Sequence, residues 1–151
     1  MANSYSQLYV QIVFAVKSRE ALIKECDRKT LEKYIYGIVN NQKCKHLAIY
    51  CNPDHTHLLL GLHPTIAISD LVREIKSSSS RYIKDSLGNS LFAWQEGYAS
   101  FSYSRSQIDL VIKYILNQPQ HHAKRKFKEE FLDMLQKSKI EYDEKYLFNW
   151  I

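Results

Sequence analysis

Lys45-His-Leu-Ala-Ile-Tyr-Cys51, Asn52-Pro-Asp54 and His55-Thr-His-Leu-Leu-Leu-Gly-Leu62 form one continuous stretch, and it holds the clearest structural signal in the chain. The outer segments have the apolar, β-branched and aromatic content of strands. Asn-Pro-Asp between them is turn chemistry: the proline presets φ, and short Asn and Asp side chains bond back to their own backbone. The stretch predicts an antiparallel hairpin of Lys45–Cys51 and about His55–Leu62. Side chains two apart on a strand share a face. His55, His57 and Leu59 therefore fall on one face. Thr56, Leu58, Leu60 and Leu62 make the other, which is apolar and suits a core, so two imidazoles are left to face something else.

The same period-2 pattern marks an earlier strand over Tyr5–Val16, with Leu8, Val10, Ile12, Phe14 and Val16 on its buried face. Asp27 reads as the N-cap of a helix running to about Asn40 through Leu31, Ile35 and Ile38. Ser69 or Asp70 reads as the cap of a helix to about Ser86, its apolar stripe diluted by Ser77–Ser80 and its end marked by Gly88-Asn89. Phe92, Trp94 and Tyr98–Tyr103 predict a strand or edge. Ser106 opens a helix with Ile108, Val111, Ile112 and Ile115 that Pro119 limits. A last helix, about His121–Gln136, carries Phe127, Phe131, Leu132 and Leu135, and an aromatic tail, Ile140–Ile151, is expected to dock on a surface. This order predicts an α+β sandwich with a largely antiparallel sheet. With no repeat or linker in view, the expectation is one domain over residues 1–151, with C-terminal helices from about 106.

Composition narrows the function. A chain of 151 residues is long enough to bury one core. Its formal net charge of +5 suits a polyanionic partner. Three cysteines, Cys26, Cys44 and Cys51, are odd in number and lack CxxC spacing, which argues against a disulfide framework or zinc knuckle and for free thiols in a reducing cytoplasm. The polar N-terminus lacks a signal-peptide pattern, and no apolar run approaches the roughly 20 residues needed to cross a bilayer.

Two neutral imidazoles on one face can bind a divalent metal, although hydrogen-bonded strand histidines would show the same spacing. By residue type, a third ligand could be Asp54, Gln95, Glu96, Gln118, His121 or His122. Tyr114-Ile-Leu-Asn-Gln118 is informative, because on one helix a tyrosine hydroxyl and an amide oxygen four residues apart would face the same way. Tyr114 is also one of 11 tyrosines, most of which must be structural. For nucleic acid, Arg73, Lys76, Arg81 and Lys84 share one predicted helix with Ser77–Ser80, and Arg105, Lys124 and Arg125 add cations near Tyr114. A solvated helix face would carry the same charges.

Three motifs together resemble the IS200/IS605-family transposases, single-tyrosine members of the HUH endonuclease superfamily. They are Asn52-Pro-Asp-His-Thr-His-Leu-Leu-Leu60, Phe92-Ala-Trp-Gln-Glu-Gly-Tyr98, and Tyr114-Ile-Leu-Asn-Gln118 with His121-His122. Phe127-Lys-Glu-Glu-Phe131 and Glu141-Tyr-Asp143 also fit, so the resemblance spans essentially the whole chain in order. It implies a ferredoxin-like, RRM-like sandwich of the HUH type, with His55, His57 and Gln118 as metal ligands, Tyr114 as nucleophile and Mg²⁺ or Mn²⁺ as the ion. It further implies single-stranded DNA hairpins as substrate and a homodimer whose sites can be completed in trans. Thr56 departs from the family pattern, where a bulky hydrophobic residue is usual. Pro119 departs more seriously, because it disfavours helical backbone at Gln118. The rival readings are a domesticated relative acting on genomic repeats, a catalytically inactive nucleic-acid-binding module, and a metal hydrolase that uses water.

Overall fold

The computed structural model describes residues 4–143. Strand β1 (Tyr9–Ala15), helix α1 (Glu25–Asn41), β2 (Lys45–Cys51), β3 (His55–Gly61), α2 (Ile68–Asp85) and β4 (Ala99–Tyr103) follow in order. Helices α3 (Ile108–Leu116), α4 (Gln118–His122) and α5 (Phe127–Lys137) come after them. The sheet order is β2-β3-β1-β4 with every neighbouring pair antiparallel. This is the β-α-β-β-α-β ferredoxin-like arrangement, in which β3 is inserted between the parallel β1 and β2.

The predicted hairpin is present with the expected bounds, except that β3 ends at Gly61. Its turn is anchored by the rest of the chain. Val16 N–H donates to the Asp54 carbonyl at 2.9 Å, and Ile23 N–H donates to the Pro53 carbonyl at 3.0 Å. The first strand is shorter than Tyr5–Val16, because pairing with β3 and β4 begins only at Tyr9.

Both faces of the sheet are covered, which explains the largest departure from the pattern reading. Val10, Ile12, Phe14, Leu58 and Leu60 pack against α1 and α2 through Leu31, Ile35, Val39, Leu71 and Ile75. On the other face, Val13 and Ala15 meet Phe127, Phe131 and Leu135 of α5, and Leu59 and Ala48 meet Ile108, Val111 and Ile115 of α3. Residues on the face left to meet something else, His55, His57 and Leu59, are therefore buried as well.

The expected caps move by a few residues. Lys24 and Ala67 occupy the N-cap positions of α1 and α2 without a side-chain bond, while Asp27 and Asp70 fall in the first turns. There the helix dipole favours a carboxylate. Ser79, in the run that dilutes the α2 stripe, is buried and accepts a hydrogen bond from Trp94 Nε1 at 2.9 Å. The helix expected over His121–Gln136 is two helices, α4 and α5, separated by extended backbone at Lys126. The tail beyond Asp143, part of the segment expected to dock, lies outside the described residues.

Candidate functional site

The site begins on β3, a central strand paired on both sides. His57 lies opposite Val13 of β1 and Tyr50 of β2, so its backbone position is set by two ladders. Each imidazole is then oriented through its Nδ1. His55 Nδ1–H donates to Asp54 Oδ1 at 2.6 Å. Gln11 Nε2 donates to His57 Nδ1 at 2.9 Å, and Tyr103 holds Gln11 by donating to its Oε1 at 2.7 Å. Partners on Nδ1 turn both Nε2 atoms toward one place.

Glu130 of α5 fills that place. Its Oε1 lies 3.1 Å from His57 Nε2, 3.5 Å from His55 Nε2 and 3.1 Å from His122 Nε2. Its Oε2 accepts a short hydrogen bond from the Tyr114 hydroxyl. Among the described residues, His55, His57, His122 and Glu130 form a group whose donor atoms all lie within 4.8 Å of one another. Imidazole nitrogens and a carboxylate in one buried cluster are a donor set that fits a divalent metal.

Electrostatics follow from burial and these contacts. Burial would raise the Glu130 carboxyl, but hydrogen bonds from His122, His55 and His57 outweigh it and hold the group far below the usual carboxylate range. Burial lowers His57, and Glu130 only partly offsets this. His55 is also buried, yet Asp54 and Glu130 together raise it. Tyr114 is pushed well above its ordinary range, first by burial and then by the charge and hydrogen bond of Glu130. Burial and Glu130 thus both favour the protonated phenol.

Local sequence explains how Tyr114 arrives. Ser104 and Gln107 form a capping box that starts a 3-10 turn, Arg105–Gln107, leading into α3. Ile108, Val111 and Ile115 fix α3 on the sheet, and Tyr114 lies edge-on to His57 of the same chain, with ring centroids 5.8 Å apart. The helix of Tyr114 ends before Pro119 as expected, but the expectation of non-helical backbone at Gln118 is corrected, since Gln118 is the first residue of α4. The backbone leaves the helix at Asn117, so Gln118 opens α4 and does not share a helix with Tyr114. The shared-helix expectation is therefore corrected, although Gln118 still reaches the site. Its Oε1 accepts from Asn52 Nδ2 at 3.1 Å and lies 3.0 Å from His122 Nε2, while its Nε2 donates to the Tyr114 carbonyl at 3.3 Å.

The other candidates separate clearly. Asp54 stands behind His55 and outside the donor cluster. His121 packs its ring on Tyr114, with centroids 4.5 Å apart. Glu96 also falls outside the cluster, and it and Gln95 lie on the loop before β4. Lys76 is half-buried and donates to the carbonyls of Gln95 and Gly97, so it staples that loop. Arg73 pairs with Asp70, Arg105 approaches Asp109 and Arg125 approaches Asp133, while Arg81, Lys84 and Lys124 are exposed. Glu130 was missed by sequence reasoning. Its signal was a carboxylate set beside Phe127 and Phe131 on the apolar face of a helix.

Two clefts flank the cluster. One, of about 400 Å³, is lined by Asn52, Asp54, His55, His122 and Lys126, with Phe127 stacked on His55 at 3.8 Å. The other, of about 260 Å³, is lined by Tyr103, Leu110, Tyr114, Arg125, Met134 and Lys137.

Comparison with known proteins bears on the family and the fold. A protein-family model described as "Transposase IS200 like" matches residues 4–118. The chain is similar to the ISDra2 transposase TnpA of Deinococcus radiodurans, 28% identical over 120 residues that cover 74% of this chain and 84% of the relative. Its fold is shared with a crystal structure assigned to a transposase of Deinococcus radiodurans R1. There the TM-score is 0.62 at 23% identity, over 78% of this chain and 95% of the other. It is also shared with a REP-associated tyrosine transposase bound to a REP hairpin, with a TM-score of 0.61 at 17% identity, over 81% and 73% of the two chains.

Proposed function

Because the chain belongs to the IS200-like transposase family, we propose that it cuts and rejoins single-stranded DNA at hairpin-bearing element ends through a 5′-phosphotyrosine on Tyr114, with a divalent metal held at His55 and His57. One observation carries this reading. The Tyr114 hydroxyl and the Nε2 atoms of the strand histidines converge on opposite oxygens of the same Glu130 carboxylate.

A divalent cation bound there would polarise the scissile phosphate, offset the Glu130 charge and so favour the phenolate. The chain's own residues account for the rest. Capping and apolar packing of α3 hold Tyr114 at attack position. Its oxygen forms the new bond to phosphorus, the bond from phosphorus to the 3′-oxygen breaks, and the strand end leaves as a free 3′-OH. The phenolic proton departs to solvent, and a proton is taken up by the leaving oxygen. The covalent link conserves a reactive ester, so rejoining needs no nucleotide cofactor.

The flanking clefts support a strand path across the site, with Lys126 on one side and Arg125 and Lys137 on the other. Arg73, Arg81, Lys84, Arg105 and Lys124 stay in the proposal as phosphate contacts, and residues 1–151 as one catalytic domain. Cleavage can be assembled in cis, since one chain brings its tyrosine to its own histidines. A homodimer would then serve to bring two DNA ends together.

The test is to incubate the protein with a labelled single-stranded hairpin and Mn²⁺ and to look for a denaturant-resistant protein–DNA band. Wild-type protein should form it, and Tyr114→Phe should not. His57→Ala should lose cleavage while keeping hairpin binding. Cleavage by wild-type protein with no covalent species would favour a water-using hydrolase.

A further inference from the structure

We propose that the α4–α5 corner completes the metal centre, with His122 and Glu130 joining His55 and His57 around one divalent ion of the transition series, while the second Glu130 oxygen holds the Tyr114 hydroxyl beside it. The inference rests on the reading that His55 and His57 bind a metal, and it departs from the expectation that Gln118 is the third ligand.

Distances carry the argument. Ligands on one ion at about 2.1 Å in a tetrahedron stand about 3.4 Å apart. Glu130 Oε1 lies at 3.5, 3.1 and 3.1 Å from the three imidazole Nε2 atoms, and the four donor atoms lie within 4.8 Å of one another, so an ion would draw the imidazoles closer together around it. His55, His57 and Glu130 are at most 1% exposed, and the Phe127 ring covers His55. A buried carboxylate among three imidazoles is costly to keep without a bound cation or a shared proton. The Nδ1 partner of His55 already meets what a ligand histidine requires. His55 Nδ1–H donates to Asp54, which leaves Nε2 free to bind. His57 needs one change, a turn of the Gln11 amide so that its oxygen accepts from Nδ1. Tyr103 can follow by exchanging donor and acceptor roles.

Gln118 is placed differently. Its Oε1 already accepts from Asn52 and its Nε2 donates to the Tyr114 carbonyl. These bonds tie α4 to the β2–β3 turn and to the end of α3, so Gln118 acts as a positioning residue for His122 and Tyr114. The donor set also selects the ion. Mg²⁺ takes oxygen ligands and keeps its water, whereas imidazole suits Mn²⁺, Co²⁺ and Zn²⁺ progressively better. Three nitrogens and one carboxylate therefore favour a transition ion over Mg²⁺. Because Glu130 faces both the ion and the phenol, it is also a positioning residue for the nucleophile.

The test is metal binding by full-length protein without DNA, by calorimetry with Mn²⁺, Co²⁺ and Mg²⁺. Wild-type protein should bind Co²⁺ at least roughly tenfold more tightly than Mg²⁺. His122→Ala and Glu130→Gln should each weaken Mn²⁺ binding by about tenfold or more, and Gln118→Ala, which acts only by positioning His122, should weaken it less than either. Electron spin-echo spectroscopy of the wild-type protein with a paramagnetic ion counts coordinated imidazoles without any variant, and three are expected. Two imidazoles, or a loss confined to Gln118→Ala, would overturn this proposal and leave the His55–His57 reading intact. Unchanged Mn²⁺ binding by a folded His57→Ala protein would overturn both.

Discussion

At the residue scale, function rests on which ring nitrogen is free. An imidazole binds metal only through an unprotonated nitrogen, so the groups on Nδ1 control what Nε2 can do. Asp54 does this for His55 at 2.6 Å, and Gln11, held by Tyr103, does it for His57. Asp54→Asn keeps the shape but removes the charge that favours Nδ1–H. It should weaken Mn²⁺ binding by about 10–100-fold, measured by calorimetry, without unfolding the protein. An unchanged affinity would show that Asp54 does not orient His55. The His-Thr-His pair was legible in the sequence because strand periodicity acts over a few residues, whereas Tyr114 was singled out among 11 tyrosines only by the family resemblance. Glu130 was not legible, because it meets His57 across 73 residues. Helical spacing from Phe127 puts Glu130 on the apolar face of α5, but no local spacing reveals what it meets there.

At the element scale, α3 decides whether Tyr114 is in place. It is a short helix, Ile108–Leu116, and its hold on the sheet is the contact of Ile108, Val111 and Ile115 with Leu59 and Ala48. Leu59 is fully buried, whereas Leu110 on the outer face of α3 is 70% exposed. Leu59→Ala should cost about 2–5 kcal/mol in chemical unfolding, from lost transfer energy and the cavity left behind. Leu110→Ala should stay within about 0.5 kcal/mol. Equal effects would mean that α3 docks by another face. The hairpin and α1 could be read from the sequence with small errors, because their signals are a turn and a single stripe. The break at Asn117 was only half legible. Pro119 announced it, but the direction of α4 after the break depends on Asn52, His122 and the Tyr114 carbonyl, which come from three separate elements.

At the scale of the whole molecule, helices on both faces turn an exposed-looking histidine face into a buried centre. Alternation along β3 located that face correctly but could not show that α3 and α5 cover it. Covering excludes water from the cluster while leaving a cleft on each side for a strand. The formal charge of +5 is spread over many exposed cations. Hairpin binding should therefore weaken linearly in log affinity with log salt, with a slope of about −0.7 for each phosphate neutralised on a single strand. Reversing one contacting cation, such as Lys126→Glu, should make that slope shallower. A salt-independent affinity would contradict a phosphate-led interface.

The central claim is that one of 11 tyrosines becomes covalently bound to DNA. Trypsin cleavage after Lys113 and Lys124 releases a peptide, Tyr114–Lys124, that contains a single tyrosine. After reaction with a single-stranded hairpin and Mn²⁺, followed by nuclease trimming, mass spectrometry should find the residual nucleotide on that peptide, attached at Tyr114. A nucleotide on any other tyrosine, or cleaved DNA with every tyrosine unmodified, would contradict the account.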